Sequence, residues 1–208
     1  MKSAPRFSDA SRSSDPTTSV GTDFASSETS TFMSLPRRIV PLPGYTPGIG
    51  TLLCMLTYTR ETTLLAVAGL SRAELSHHHD DASNSIGELL AHAVAVERIY
   101  QVLTFEARPL SAEEEATWSP ALELGSAGRS QFQECSLEEH LDVLADVRRA
   151  TLVALASSDD AWLDRPLQAA PDLNAHWAWF HVAEDEINHR GQIRWLRARL
   201  PRGLSADL

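Results

Sequence analysis

Four runs of apolar residues recur at spacings of three, four and seven, and no run alternates strictly, so the chain is confined to an all-α fold. The first run opens at Pro47, and Ile49, Leu52, Leu53, Leu56, Thr63, Val67 and Leu70 share its stripe. The second follows "SIGE" at Ser85 to Glu88, where Ser and Glu stand at the spacing of a capping box, and extends from about Ile86 to about Leu103. The third follows another such box, "SLEE" at Ser136 to Glu139. Its stripe is Leu137, Leu141, Leu144, Val147, Leu152 and Leu155, and it ends near Ser157. The fourth starts after "PDLN" at Pro171 to Asn174 and runs to Leu200, where Arg197 and Arg199 suit the negative helix end and Pro201 stops it. Between the runs, residues 71–84 read as a polar break, and residues 107–134, long and punctuated by Pro and Gly, read as an irregular crossover. Four long amphipathic helices with one long connection predict a four-helix bundle.

The chain has 208 residues, 43% of them hydrophobic and 22% charged, enough for one core and some extra length. A formal net charge of −10 argues against a nucleic-acid partner, because gripping phosphates takes clustered Lys and Arg. Cys54 and Cys135 are too few for a disulfide framework and lack zinc-ribbon spacing, which makes a reducing cytoplasm the default location. No apolar run is long enough to span a membrane, and no signal-peptide core opens the chain. Residues 1–32 are rich in Ser, Thr and Asp without apolar periodicity and read as a disordered tail; Met33 would be a sensible alternative start. The division expected is a tail over residues 1–44 and a helical domain over residues 45–208.

Function should sit where polar groups interrupt apolar stripes. His181, Asp185 and His189 are four residues apart, so successive members are displaced by only about 40° around a helix. His92 shares a stripe with Leu89, Val96, Ile99 and Leu103. Metal sites inside helical bundles are built from His and carboxylates projecting from facing helices, often paired at i, i+4. Asp185 and His189 form such a pair and His92 is a candidate third ligand, although periodicity alone does not choose among Glu184, Asp185 and Glu186. His77, His78 and His79 read as a polar linker, because consecutive residues point in different directions.

"NSIGELLAHAVAVERIYQ" at Asn84 to Gln101 and "FHVAEDEINHRGQIRWLRARLP" at Phe180 to Pro201 resemble the DinB-like (DinB and YfiT) superfamily, over roughly residues 46–201. The "NHRGQI" block carries most of that resemblance. It implies an up-down-down-up four-helix bundle, usually a homodimer, holding a divalent ion through three histidines. Carried over, His92 matches the first ligand and His189 the last, while the middle position falls on Asp185. Two imidazoles and one carboxylate are a competent set for zinc or iron, and nickel and manganese belong to the same range of candidates. His181, one turn earlier, is an additional candidate. Glu97 and Gln192 are candidates for orienting a ligand imidazole or substrate, with Glu97 weighed more heavily as a surface charge.

Relatives in this superfamily use a low-molecular-weight thiol such as mycothiol, bacillithiol or glutathione. The resemblance therefore implies an S-transferase acting on a small-molecule electrophile. Metal-assisted hydrolysis is the alternative enzyme, and a non-catalytic, stress-associated bundle with a degenerate site is the rival from another class. Neither cysteine stands out as a nucleophile, since Cys54 lies on a core stripe and Cys135 in a loop.

Overall fold

The computed structural model describes residues 38–204; the serine-rich stretch of residues 1–32 and the alternative start at Met33 lie outside the described residues. Among the described residues the chain is all-helical, with no strand. The elements are α1 (Pro47–Val67), α2 (Arg72–Ser76), α3 (Ile86–Thr104), α4 (Ala112–Glu123), α5 (Ser126–Phe132), α6 (Leu137–Leu155), α7 (Asp160–Leu163) and α8 (Ala175–Arg197). The four expected runs are thus α1, α3, α6 and α8. α1 packs on α8, α8 on α3, α3 on α6, and α6 on α1.

Two of the connections are more ordered than expected. The break over residues 71–84 contains α2, and the crossover over residues 107–134 contains α4 and α5. Both α2 and α4 begin with reciprocal capping boxes, Ser71 with Glu74 and Ser111 with Glu114, of the same kind that opens α3 and α6. Helices this short are marginal alone, so periodicity hardly registers them. The crossover helices form because α3 carries Ala91 and Ala95 on one face, small enough to let Ala121 and Phe132 close onto it, while α2 is seated by Leu75, buried in the core with Leu70 and Ile86. The His77–His79 stretch is also fastened: His78 Nε2 lies 2.8 Å from Glu88 Oε2, and the His79 ring stands edge-on to Trp195 with centroids 4.9 Å apart.

The start of α1 is satisfied from outside the helix. Asp160 of α7 accepts hydrogen bonds from Gly48 N at 2.9 Å, from Ile49 N at 3.1 Å, and from the Thr46 hydroxyl. These donors hold the Asp160 carboxyl below its usual range, the Thr46 bond most of all. Residues 41–42 cross α1 so closely that a Cβ on Gly50 would stand 2.8 Å from Leu42 N, so only glycine fits there. At the other end, Arg197 does not cap its own helix; it donates to the carbonyls of Ala66 at 2.7 Å and Ala68 at 3.0 Å, closing the end of α1.

The core has two apolar parts with a charged layer between them. One part gathers Val67, Leu70, Leu75, Ile86, Leu89, Leu90, Leu144, Ile193 and Leu196. The other gathers Ile49, Leu52, Leu53, Leu56, Leu155, Trp162, Leu163 and Trp179. Between them each long helix contributes one buried ionised residue: Arg60 from α1, Glu97 from α3, Arg148 from α6 and Glu186 from α8. Arg60 donates to Glu186 Oε1 at 2.8 Å and to Glu97 Oε2 at 2.9 Å; Arg148 donates to Glu97 Oε1 at 2.8 Å and Oε2 at 3.1 Å. The remaining guanidinium donors reach the carbonyls of Leu144 at 2.6 Å and Leu56 at 2.8 Å. Thr151 adds a hydrogen bond to Glu97 Oε1 at 2.6 Å. Burial alone would raise the Glu97 carboxyl, but the two guanidinium groups outweigh it and hold it below its ordinary value.

This layer corrects two expectations. Glu97 is fully buried, with 0% exposure, and is not a surface charge. Leu152 is about one-third exposed, at 36%, and not part of the buried stripe, because the inward face of α6 runs through Leu144, Arg148, Thr151 and Leu155. Removing one partner of a buried ion pair leaves the others uncompensated, so Glu97→Ala should cost about 3–5 kcal/mol in denaturant unfolding. Replacing Arg60, Glu97, Arg148 and Glu186 together by apolar residues of similar volume should cost far less than the sum of the single changes.

His140, in the first turn of α6, gives a pH dependence. It is buried against Gly87, its Nε2 has no hydrogen-bond partner among the described residues, and burial depresses its pKa to about 4 from an ordinary 6.5. Between these values the unfolded chain binds the proton and the folded chain does not, so this residue's contribution is present above pH 6.5 and is lost as pH falls toward 4. Across that window the wild type should lose about 1 kcal/mol per pH unit relative to His140→Leu, as read from paired unfolding curves.

Candidate metal centre

α8 and α3 bring three of the sequence-predicted residues together. His92, Asp185 and His189 each offer one donor atom, all within 4.8 Å of one another, and they form the one group of this kind found among the described residues. His92 Nε2 lies 3.6 Å from Asp185 Oδ2, and His189 Nε2 lies 3.4 Å from Asp185 Oδ1. The side chains are 12%, 15% and 14% exposed in the order His92, Asp185, His189, so the group is sheltered but reachable. The imidazoles meet edge to face, with centroids 4.7 Å apart. The i, i+4 spacing on α8 puts Asp185 and His189 one above the other, and the α3 register turns His92 toward them.

Electrostatics and hydrogen bonding set the state of each group. Nδ1 of His92 lies 2.8 Å from the carbonyl oxygen of Ala121 in α4. A carbonyl only accepts, so Nδ1 carries the proton and the neutral ring presents the Nε2 lone pair to Asp185 and His189. Burial alone pushes the His92 pKa down, but Asp185 and the carbonyls of Ala121 and Leu122 outweigh it and raise it. Burial likewise disfavours the Asp185 carboxylate, yet His189 and His92 hold it well below the usual carboxylate range. Asp185 Oδ2 and His189 Nδ1 are buried without a hydrogen-bond partner among the described residues. A carboxylate, two imidazoles and two unsatisfied buried atoms form a donor set that suits a divalent cation.

His181 is not brought into this group. Its Nδ1 faces Glu184 Oε2 at 3.3 Å, and its ring stacks on Trp177 with centroids 5.0 Å apart and planes 13° apart. Tyr100 stands edge-on to His181 at 5.8 Å and to Trp177 at 6.4 Å. Together they form an aromatic wall one turn before Asp185. Tyr100, missed in the sequence, has a phenol raised to about 12, by burial first and then by the Asp185 charge. Its signal was weak, since Tyr100 follows His92 by eight residues and falls about 80° from it around the helix axis. Gln192 lies one turn beyond His189 and lines a cavity instead of touching either imidazole. Neither cysteine approaches the site: Cys54 is buried with Sγ 3.9 Å from Arg38 O, and the Cys135 thiol is raised by burial and by Glu139.

A family model described as mycothiol-S-transferase matches residues 51–201, which span α1 through the end of α8. The chain belongs to that family. The mycothiol-S-transferase family lies within the DinB-like superfamily, in agreement with the resemblance carried by the α3 and α8 motifs. No curated protein matches the chain. No helix among the described residues is long and apolar enough to cross a membrane.

The His92–Ala121 hydrogen bond makes a prediction. In nitrogen-detected NMR above the His92 pKa, its neutral ring should be the tautomer protonated at Nδ1. A ring protonated at Nε2 would contradict the orientation described.

Proposed function

We propose that this chain is a divalent-metal-dependent thiol S-transferase in which His92, Asp185 and His189 are the protein ligands. The single observation that carries the reading is the convergence of these residues from α3 and α8 in a chain of the mycothiol-S-transferase family. The three donors leave coordination positions for small molecules. A divalent ion of the zinc, nickel, iron or manganese type would supply Lewis acidity there, favouring the ionised form of a thiol at neutral pH.

The chain's own residues then have definable tasks. Ala121 O fixes the tautomer and ring plane of His92, so that its Nε2 needs no reorganisation to bind. Asp185 stays ionised and keeps one unit of negative charge beside the reacting sulfur. The aromatic wall of Tyr100, Trp177 and His181 bounds the site on one side. In the transfer the thiol gives up its proton to solvent and its sulfur forms a bond to the electrophilic carbon. The group displaced from that carbon leaves with the electron pair of the broken bond.

The proposed assembly is a homodimer of up-down-down-up bundles, each spanning residues 45–208. Supporting the helix directions, Arg197 ties the end of α8 to the end of α1, and His140 in the first turn of α6 lies against Gly87 in the first turn of α3. The homodimer rests on the family resemblance. A cytoplasmic setting agrees with two cysteines that are both free.

Elemental analysis of untagged protein after supplementation with each metal should find near-stoichiometric ion in the wild type, lost in His92→Ala and His189→Ala. With mycothiol and a panel of electrophiles, both variants should lose at least about 100-fold in kcat/KM. Equal metal content in all three proteins, or turnover of electrophile without thiol, overturns the reading.

A further inference from the structure

Beyond His189 along α8 lies a cavity of about 530 Å³ lined by Ser83, Asn84, Asn188, Gly191, Gln192 and Trp195, among others. It lies between the second half of α8 and the residues that lead into α3. Its lining includes three carboxamides, one hydroxyl and one indole, and no ionised side chain. Asn188 and Gln192 are exposed, and neither has a hydrogen-bond partner among the described residues. The wall around them is held in place. Asn84 Oδ1 accepts from Gly125 N at 3.3 Å, Ser83 Oγ accepts from Asp80 N at 3.0 Å, and Arg199 lies 3.9 Å from the centroid of the Trp195 ring. Gln192, one turn beyond His189, falls about 20° from Asp185 around the helix axis, while Asn188, Gly191 and Trp195 fall about 60–120° from it on the same side, so the cavity opens to one side of the metal group.

Gly191 is the telling residue. A glycine in a helix interior costs about 1 kcal/mol relative to Ala, and packing does not demand one here, since a Cβ at this position would meet nothing within 4 Å. What its missing side chain preserves is the open volume.

We infer that this cavity is the subsite for the uncharged, hydroxyl-rich part of the thiol cosubstrate, with Asn188 and Gln192 bonding its hydroxyls. The inference rests on the S-transferase reading for the identity of the ligand. Carboxamides both donate and accept, which matches vicinal hydroxyls; the lining side chains are uncharged, and the guanidinium groups against the wall are engaged, Arg129 with the carbonyls of Asp81 and Ser83 and Arg199 with the ring and carbonyl of Trp195. A neutral glycosidic thiol such as mycothiol fits this chemistry. Anionic thiols such as glutathione do not.

The test uses the full chain and S-methyl mycothiol, whose blocked sulfur makes binding independent of the metal. Calorimetry should give the same Kd for the wild type and His92→Ala, and a Kd at least about tenfold weaker for the double variant Asn188→Leu, Gln192→Leu. Gly191→Met should raise the Tm, because a good helix former replaces glycine, and yet weaken binding by a similar factor. In turnover, KM for mycothiol should rise in these variants while kcat changes little. Equal affinity of wild type and variants, no binding to the wild type, or glutathione binding as well as mycothiol overturns the subsite. Turnover failing while S-methyl mycothiol still binds in the cavity would refute the transferase reading and leave the subsite standing.

Discussion

The buried square of Arg60, Glu97, Arg148 and Glu186 is the constraint on which the rest of the structure depends. Each long helix supplies one corner, and opposite charges alternate around it. A buried charge without partners is far costlier than any single apolar contact is favourable, so the helices associate only in registers that pair all four. The two apolar parts of the core would tolerate sliding and rotation more easily, since hydrophobic burial is not directional. The charged layer therefore constrains the register of the helices more tightly than the apolar parts do.

That layer also determines where the candidate metal group stands. Glu186 is the neighbour of Asp185, and Glu97 lies just over one turn beyond His92 on α3. With Glu186 and Glu97 locked by two guanidinium groups, the faces carrying Asp185, His189 and His92 are rotated toward each other at one level of the core. The candidate metal group thus stands beside a polar structural layer, on the same stretch of α3 as Leu89, Leu90, Ala93 and Val94 of one apolar part.

Much of this was legible in the sequence, and what was missed was missed for physical reasons. The four long helices followed from periodicity and caps, and the convergence of His92, Asp185 and His189 followed from spacing joined to a family resemblance. Arg60 and Arg148 were passed over because a stripe read only through its apolar members skips a charge whose partners lie on other helices. Glu97 looked like a surface residue for the same reason: a carboxylate reveals its burial only through the arginines that face it. The short helices α2 and α4 have the same capping signature as α3 and α6, but they are too brief for periodicity to register. His181 shares the helical face of Asp185, yet Trp177 and Tyr100 offer its ring a closer partner than the metal group.

The bond from His92 to the carbonyl of Ala121 joins the candidate metal group to a backbone atom of the crossover. No side-chain replacement at position 121, proline included, can delete that acceptor, because every residue carries it. This contact therefore constrains the length and path of the crossover, while the side chains of Ala121 and Phe132 answer to their packing on Ala91 and Ala95. Among related chains, the trace of this contact would be the absence of insertions and deletions between α3 and α4, and not an invariant residue.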